Sequence, residues 1–282
     1  MERRPFGSTK RQVAAIGQGT WYIERGQRAS AIRALRAGLD LGMTHIDTAE
    51  MYGSGDAEEL IAEAIEGRRD DVFLVSKVLP QHASRRGTIT ACENSLARLG
   101  TDRLECYLLH WRGSYPLEET IAAFEQLQRE SKILSWGVSN FHVDDLEEVL
   151  SIAGEGRIAC NQVLYHLAQR NIEHAVIPWC EKHHVAVVGY SPFGHSGAIP
   201  GPRTAAGRVL SAIATAHDAT PHQVALRFLV RRPSLFTIPK ASGSEHAIEN
   251  ANAGELRLSK DELALIDEAF PLDSRSRGLP TL

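Results

Sequence analysis

Val72-Phe73-Leu74-Val75-Ser76-Lys77 is a short apolar run that closes on a charge. β-branched and aromatic residues dominate it, and it is too short for a buried helix, so it reads as a strand whose lysine sits where the chain leaves the core. Comparable runs occupy residues 13–17, 45–47, 105–110, 135–139, 159–163, 185–190 and 235–239. The first seven of the eight begin roughly 30 residues apart, and a longer gap precedes the last. Between them, apolar residues fall at helical spacing: Ala57, Leu60, Ile61, Ala64 and Ile65; Leu117, Ile121, Phe124 and Leu127; Val224, Ala225, Phe228 and Leu229. Pro116 is suited to the first turn of the second of these helices. Ser259 and Glu262 have capping-box spacing ahead of Leu263, Ile266 and Phe270. Strands alternating with helices predict an α/β protein, and eight such units in 282 residues predict a (β/α)8 TIM barrel in one domain, residues 1–282. A doubly wound sheet fits less well. Gly17-Gln18-Gly19 and Gly53-Ser54-Gly55 both lack the third glycine of a dinucleotide fingerprint, and there is no Walker A sequence.

The composition narrows the function. With 43% hydrophobic and 23% charged residues the chain can build a core and does not read as disordered. A formal charge of -4 argues against nucleic acid as a partner, since phosphate backbones select basic faces. No apolar run reaches membrane-spanning length, and Met1-Glu2-Arg3-Arg4-Pro5-Phe6-Gly7 lacks the apolar stretch of a signal peptide. Cys92, Cys106, Cys160 and Cys180 are too far apart for a zinc or redox motif. These features predict a cytoplasmic protein with no metal and no membrane partner.

In a barrel of this kind the chemistry gathers at the carboxyl ends of the strands. The polar residues closing the runs are, in order, Asp47, Lys77, His110, Ser139 with Asn140, Gln162, Tyr190 with Ser191, and Lys240. Tyr52 lies just beyond Asp47. A phenol beside the Lys77 ammonium is expected to titrate below its ordinary value, with Asp47 holding the lysine charged. A neutral His110 could donate a hydrogen bond to a substrate oxygen. Together these side chains suit the delivery of a proton to an oxygen gaining negative charge. Each alone has an ordinary structural explanation: a packed tyrosine, a rim salt bridge, a core histidine. Their occurrence at consecutive strand ends is what points to a site. His45, His183 and His184 read as packing or surface residues. No His-x-His follows the first strand, as a metal-dependent hydrolase would need, and no G-x-S-x-G elbow is present.

The run Ile46-Asp47-Thr48-Ala49-Glu50-Met51-Tyr52-Gly53 resembles the signature of the aldo-keto reductase family. So do Lys77 at its strand end, Leu109-His110-Trp111, Gly137-Val138-Ser139-Asn140-Phe141, Asn161-Gln162-Val163, Tyr190-Ser191-Pro192-Phe193 and Ile238-Pro239-Lys240. The matches follow family order from about Gly17 to Leu265, and within the family the likeness is to bacterial members that reduce methylglyoxal and similar small aldehydes. The resemblance implies a barrel with an N-terminal hairpin cap and a catalytic tetrad of Asp47, Tyr52, Lys77 and His110, with Tyr52 as proton donor. It implies that Ser139, Asn140 and Gln162 hold a nicotinamide carboxamide and that Tyr190 stacks on the ring. Ser191, Pro192 and Phe193 would follow the pyrophosphate, and Ile238 and Pro239 would lead to Lys240, Ala241 and Ser242 at an adenosine 2′-phosphate. Glu249 and Asn250 would touch the adenine. Gly19 and Thr20 would sit at the nicotinamide end beside Asp47, with Trp21, Tyr52, His110 and Trp111 lining the substrate pocket.

One departure from the family pattern concerns the cofactor. Where many members carry an arginine past the lysine, this chain reads Ser244-Glu245-His246. His246 is a weaker phosphate partner than a guanidinium and Glu245 would repel phosphate, so the resemblance implies NADPH, with NADH possible. The 194–203 stretch reads as a loop at the barrel mouth. The tail, residues 271–282, has no aromatic residue and suggests an open pocket for small carbonyls. The expected protein is therefore an NADPH-dependent reductase of methylglyoxal and similar aldehydes, a monomer or weak oligomer. The alternative is a cofactor-binding redox sensor or regulatory subunit with little turnover.

Overall fold

Arg3–Pro5 (β1) and Gln12–Ala14 (β2) pair antiparallel as a hairpin, with Arg3 opposite Ala14. The strands that follow are all parallel: Gln18–Gly19 (β3), His45–Asp47 (β4), Phe73–Val78 (β5), Cys106–Leu109 (β6), Trp136–Ser139 (β7), Ile158–Leu164 (β8), Ala186–Tyr190 (β9) and Leu235–Thr237 (β10). Each hydrogen-bonds to its sequence neighbour from β3 to β10. The computed structural model describes residues 1–194, 199–272 and 279–281. Parallel bridges Ile16 to Thr237 and Gly19 to Lys240 bring the two sheet edges together and close the barrel. A Cβ on Gly19 would lie 2.5 Å from the Ile238 carbonyl oxygen, so this contact between edges requires glycine.

The helices are Arg28–Asp40 (α1), Asp56–Ala64 (α2), Arg85–Leu99 (α3), Leu117–Arg129 (α4), Val143–Ala153 (α5), Val176–Lys182 (α6), Ala205–Ala216 (α7), Pro221–Leu229 (α8), Ser244–Asn252 (α9) and Lys260–Ala269 (α10). Their ends carry local signals. Ser259 and Glu262 form the expected capping box, as Thr220 and Gln223 do at α8, and Gly100 ends α3 in the left-handed region. Pro116 stands just before α4, not within its first turn.

The alternation of strand side chains divides the core in two. Phe73, Val75, Cys106, Leu108, Ala186, Val188 and Phe236 pack inside the barrel, while Leu74, Tyr107, Leu109 and Val187 pack outward against the helices. The hairpin seals the amino-terminal end. Phe6, fully buried, meets Phe73, Phe236 and His45 at ring-centroid distances of 4.9, 5.1 and 5.9 Å. Burying one such ring contributes about 1.5–3 kcal/mol.

One strand assignment needs correction. Residues 13–17 are not the first barrel strand: Val13 and Ala14 end the hairpin, Ile16 makes a single bridge, and the barrel strand is Gln18–Gly19. Ala15 and Ile16 are apolar because they pack on Met43, Leu226 and Val230. Gln18 is polar yet buried because its amide donates to the Leu35 and Met43 carbonyls.

Candidate active site

The inward-facing register that puts Phe73 and Val75 inside the barrel puts Lys77 on top of them, and the register of Cys106 and Leu108 does the same for His110. Asp47 ends β4 beside them, and Tyr52 begins a 3-10 turn, Tyr52–Gly55, in the following loop. The structure thus brings Asp47, Tyr52, Lys77 and His110 together. The Lys77 ammonium, fully buried, donates to Asp47 Oδ1 at 2.6 Å, to the Thr48 carbonyl at 2.7 Å and to Tyr52 Oη at 3.1 Å. Its three donors are all used. Asp47 Oδ2 accepts from Gln162 Nε2 at 2.7 Å, and the Asp47 carbonyl accepts from Thr20 Oγ1. The Tyr52 and His110 rings meet edge to face, 5.8 Å apart, and His110 leans on Trp111 at 4.8 Å.

The electrostatics follow from burial. Burial opposes the Lys77 charge, but Asp47 and the Tyr52 phenol outweigh it and hold the ammonium above the ordinary lysine value. Burial and then the Lys77 cation push His110 down to about 2, so the imidazole is neutral. Its Nδ1 is buried with no hydrogen-bond partner among the described residues. An unpaired N–H there would be the costlier arrangement, which assigns the proton to Nε2. The expectation for Tyr52 is corrected: burial pushes the phenol above its ordinary value, and Lys77 reduces that rise without reversing it. The phenol therefore keeps its proton at neutral pH.

Asp47, Tyr52 and His110, with Lys77 buried behind them, line a cavity of about 680 Å³ at the carboxyl end of the barrel. Besides them, Gly19, Thr20, Trp21, Trp111, Ser139, Asn140, Gln162, Tyr190, Ser191, Pro192, Phe193, Ile238 and Lys240 line it, as the sequence suggested. Ser139 Oγ donates to the Gln162 carbonyl at 2.9 Å, Asn140 Nδ2 reaches the His110 carbonyl at 3.2 Å, and Tyr190 Oη donates to Asn140 Oδ1 at 2.9 Å. Gly194, from the expected mouth loop, and Thr281, from the tail, also line the cavity, as do Tyr22, Met51 and Arg112, which were not anticipated. These last three are chain neighbours of residues already singled out, which was the available signal. Arg112 is ion-paired with Asp145 and Glu148. Of the tail, Thr281 reaches the cavity, while residues 273–278 and 282 lie outside the described residues, as do 195–198 of the predicted mouth loop.

Pro239, Ala241, Ser242, His246, Glu249 and Asn250 do not line this cavity. Pro239 is buried at the end of the last strand, and Asn250 is buried on α9. The exposed Lys240 begins the loop that runs through Ala241 and Ser242 into the amino terminus of α9, where Gly243 leaves the first turn without a side-chain cap. Free first-turn N–H groups beside a lysine form a place for an anion. Exposed His246 and Glu245 sit on that turn. Glu249 is engaged within the protein, accepting from Thr220 Oγ1 at 2.6 Å and facing His246 Nδ1 at 3.4 Å. An aromatic face at Tyr190, amides at the barrel rim and an anion cradle beyond Lys240 suit a nicotinamide dinucleotide phosphate.

Comparison with known proteins bears on the same arrangement. The model of the "Aldo/keto reductase family" matches residues 15–270. The chain is 46% identical over 261 residues to the methylglyoxal reductase YeaE of Escherichia coli, covering 92% of each. It superposes on an aldo-keto reductase of Klebsiella pneumoniae in complex with NADPH, with a TM-score of 0.93, 43% identity and full coverage of both chains. A second Klebsiella pneumoniae aldo/keto reductase structure, in complex with NADP and acetate, matches at 44% identity, also with a TM-score of 0.93 and full coverage of both.

Proposed function

The chain belongs to the aldo/keto reductase family, and from that membership we propose that it is an NADPH-dependent oxidoreductase that reduces aldehydes, methylglyoxal and similar small 2-oxoaldehydes, to alcohols. The observation that carries this reading is the buried hydrogen-bonded chain from Asp47 through Lys77 to the Tyr52 phenol, whose ring meets the neutral His110 edge to face at the cavity wall.

Tyr52 is the proton donor in this reading. The substrate oxygen sits between its hydroxyl and His110 Nε2, and the imidazole orients the carbonyl by a hydrogen bond. When bound, NADPH supplies the hydride that reaches the carbonyl carbon. As the oxygen gains charge, Tyr52 gives up its proton and the Lys77 ammonium, 3.1 Å away, stabilises the phenolate left behind. Asp47 keeps Lys77 charged and fixed. Ser139, Asn140 and Gln162 hold the carboxamide, Tyr190 carries the ring, and Ser191 to Phe193 lie along the pyrophosphate. Lys240 with the α9 amino terminus takes the 2′-phosphate, with Ala241 and Ser242 alongside and Glu249 and Asn250 toward the adenine. Trp21 and Trp111 wall the carbonyl side. We read residues 1–282 as one domain, a cytoplasmic monomer or weak oligomer; the free, buried cysteines suit a reducing compartment.

The direct test is to mix the protein with NADPH and methylglyoxal and follow the reduced-nicotinamide absorbance. Steady loss of the band supports the reading. Tight NADPH binding with no multiple turnover on any small aldehyde would favour a redox sensor instead. The cofactor assignment makes its own prediction. Lys240→Met should raise KM for NADPH about tenfold or more, the scale of one lost hydrogen bond to a charged group, and leave KM for NADH nearly unchanged. Equal effects on both cofactors would remove Lys240 from the phosphate site.

A further inference from the structure

Glu58 has a place in the helical pattern but none in the mechanism above. It is on α2, six positions after Tyr52, and is completely buried. A carboxylate in that position requires partners, and it has two. Oε1 accepts from Ser76 Oγ at 2.6 Å, and Oε2 accepts from Arg98 Nε at 2.6 Å. Ser76 immediately precedes Lys77 on β5; the strand turns Lys77 inward and Ser76 outward, toward α2. The carboxylate therefore ties the helix that follows Tyr52 to the strand that carries Lys77.

The segment between Tyr52 and α2 has reason to need such a tie. Gly53, Ser54 and Gly55 are left-handed in succession, with φ of 57°, 56° and 106°. Only the glycines adopt that conformation freely, so Ser54 is held there by its surroundings. The Arg98 side chain lies where a Cβ on Gly55 would be, 2.5 Å from Arg98 Cδ. The same Arg98 side chain that binds Glu58 thus packs closely against Gly55 at the exit of the Tyr52 turn, and Arg98 Nη2 is itself held by Ser95 Oγ at 3.2 Å.

We propose that Glu58 is a positioning residue for the proton donor: through Ser76 and Arg98 it clamps the Tyr52 turn against the Lys77 strand and sets the distance between phenol and ammonium. The inference rests on the reductase reading and extends it to a residue that touches neither substrate nor cofactor. Loosening the clamp lets Tyr52 drift from Lys77 while leaving the dinucleotide contacts, which lie on other strands, in place.

The test uses the whole enzyme and three variants. Glu58→Gln and Ser76→Ala each remove part of the clamp; Ser76→Ala loses one hydroxyl and decides the matter if Glu58→Gln, which leaves Arg98 without its carboxylate, fails to fold. Glu63→Gln, an exposed site on the same helix paired with Arg28, is the control. The clamp variants should lose about tenfold in kcat per folded molecule, as expected of a small misplacement at a reacting centre, with KM for NADPH within about twofold of the parent. The alkaline limb of the kcat profile should move to higher pH, since a more distant Lys77 draws the phenol down less. Lowered melting temperature with parental kcat and an unmoved limb would reduce Glu58 to a stabilising role and overturn the proposal. An inactive parent that still binds NADPH would remove the reductase reading itself, whereas an active parent with unaffected variants removes only the clamp.

Discussion

Tyr52→Phe is expected to lower turnover by at least about a hundredfold while leaving NADPH affinity near that of the parent, in keeping with the loss of a general acid. The substitution isolates one atom. The ring keeps its edge contact with His110 and its place under the Lys77 ammonium, which stands 4.8 Å from the ring centroid. Lys77 loses one of its three acceptors but keeps Asp47 and the Thr48 carbonyl. The barrel should therefore fold as before, and the loss should fall on kcat. His110 cannot take over the donor's role: held down to about 2, it carries no spare proton at neutral pH. The phenol, raised by burial, stays protonated through neutral pH, so the parent's reduction rate should be level there and fall only on the alkaline side. The measurements are steady-state kinetics across pH and a fluorescence titration with NADPH. Activity within about tenfold of the parent would disprove the role of Tyr52.

Lys77→Met should have a larger effect on stability. It removes the ammonium and leaves the Asp47 carboxylate buried with Gln162 as its remaining side-chain partner. An orphaned buried charge costs about 3–5 kcal/mol, which corresponds to roughly 10 °C or more in melting temperature for a chain of this size. Turnover should also disappear, because nothing remains to stabilise the phenolate. Adding Asp47→Asn to Lys77→Met removes the stranded charge and should recover most of the melting temperature without recovering turnover. That separation distinguishes an electrostatic role from a merely structural one. The sign of the pH dependence follows from the same pair. Because Lys77 is raised, its stabilising contribution is complete below the ordinary lysine value of 10.5 and fades as pH rises through the higher folded value. The double variant should lack this alkaline loss; thermal melts at several alkaline pH values would show it.

Much of this was legible from the sequence because strand periodicity is simple. A polar or ionisable residue at the end of an apolar run marks a strand exit, and Asp47, Lys77 and His110 all declare themselves in that way. The first barrel strand did not, because it is two residues long, one of them a glutamine satisfied only by carbonyls brought near in the fold. The donation from Gln162 to Asp47 was hidden for a related reason: it joins residues 115 positions apart across the barrel. Glu58 was passed over because an acid beside the Ala57, Leu60 and Ile61 stripe looks solvent-facing, and only packing against Ser76 and Arg98 reveals otherwise. The direction of the Tyr52 shift required knowing how completely the phenol is enclosed, which pairing rules alone do not supply.

Side chains such as Phe73, Val75, Leu108 and Phe236 fill the barrel below the site, with Phe6 of the hairpin at its base, so nothing passes through to the amino-terminal end. Among the described residues the cavity therefore opens at the carboxyl end of the barrel, and whatever binds deepest in it must enter first. In the proposed arrangement, with the nicotinamide against Tyr190 and the rim amides, the carbonyl would enter second and the alcohol depart first. Product inhibition by NADP should accordingly compete with NADPH and not with the aldehyde.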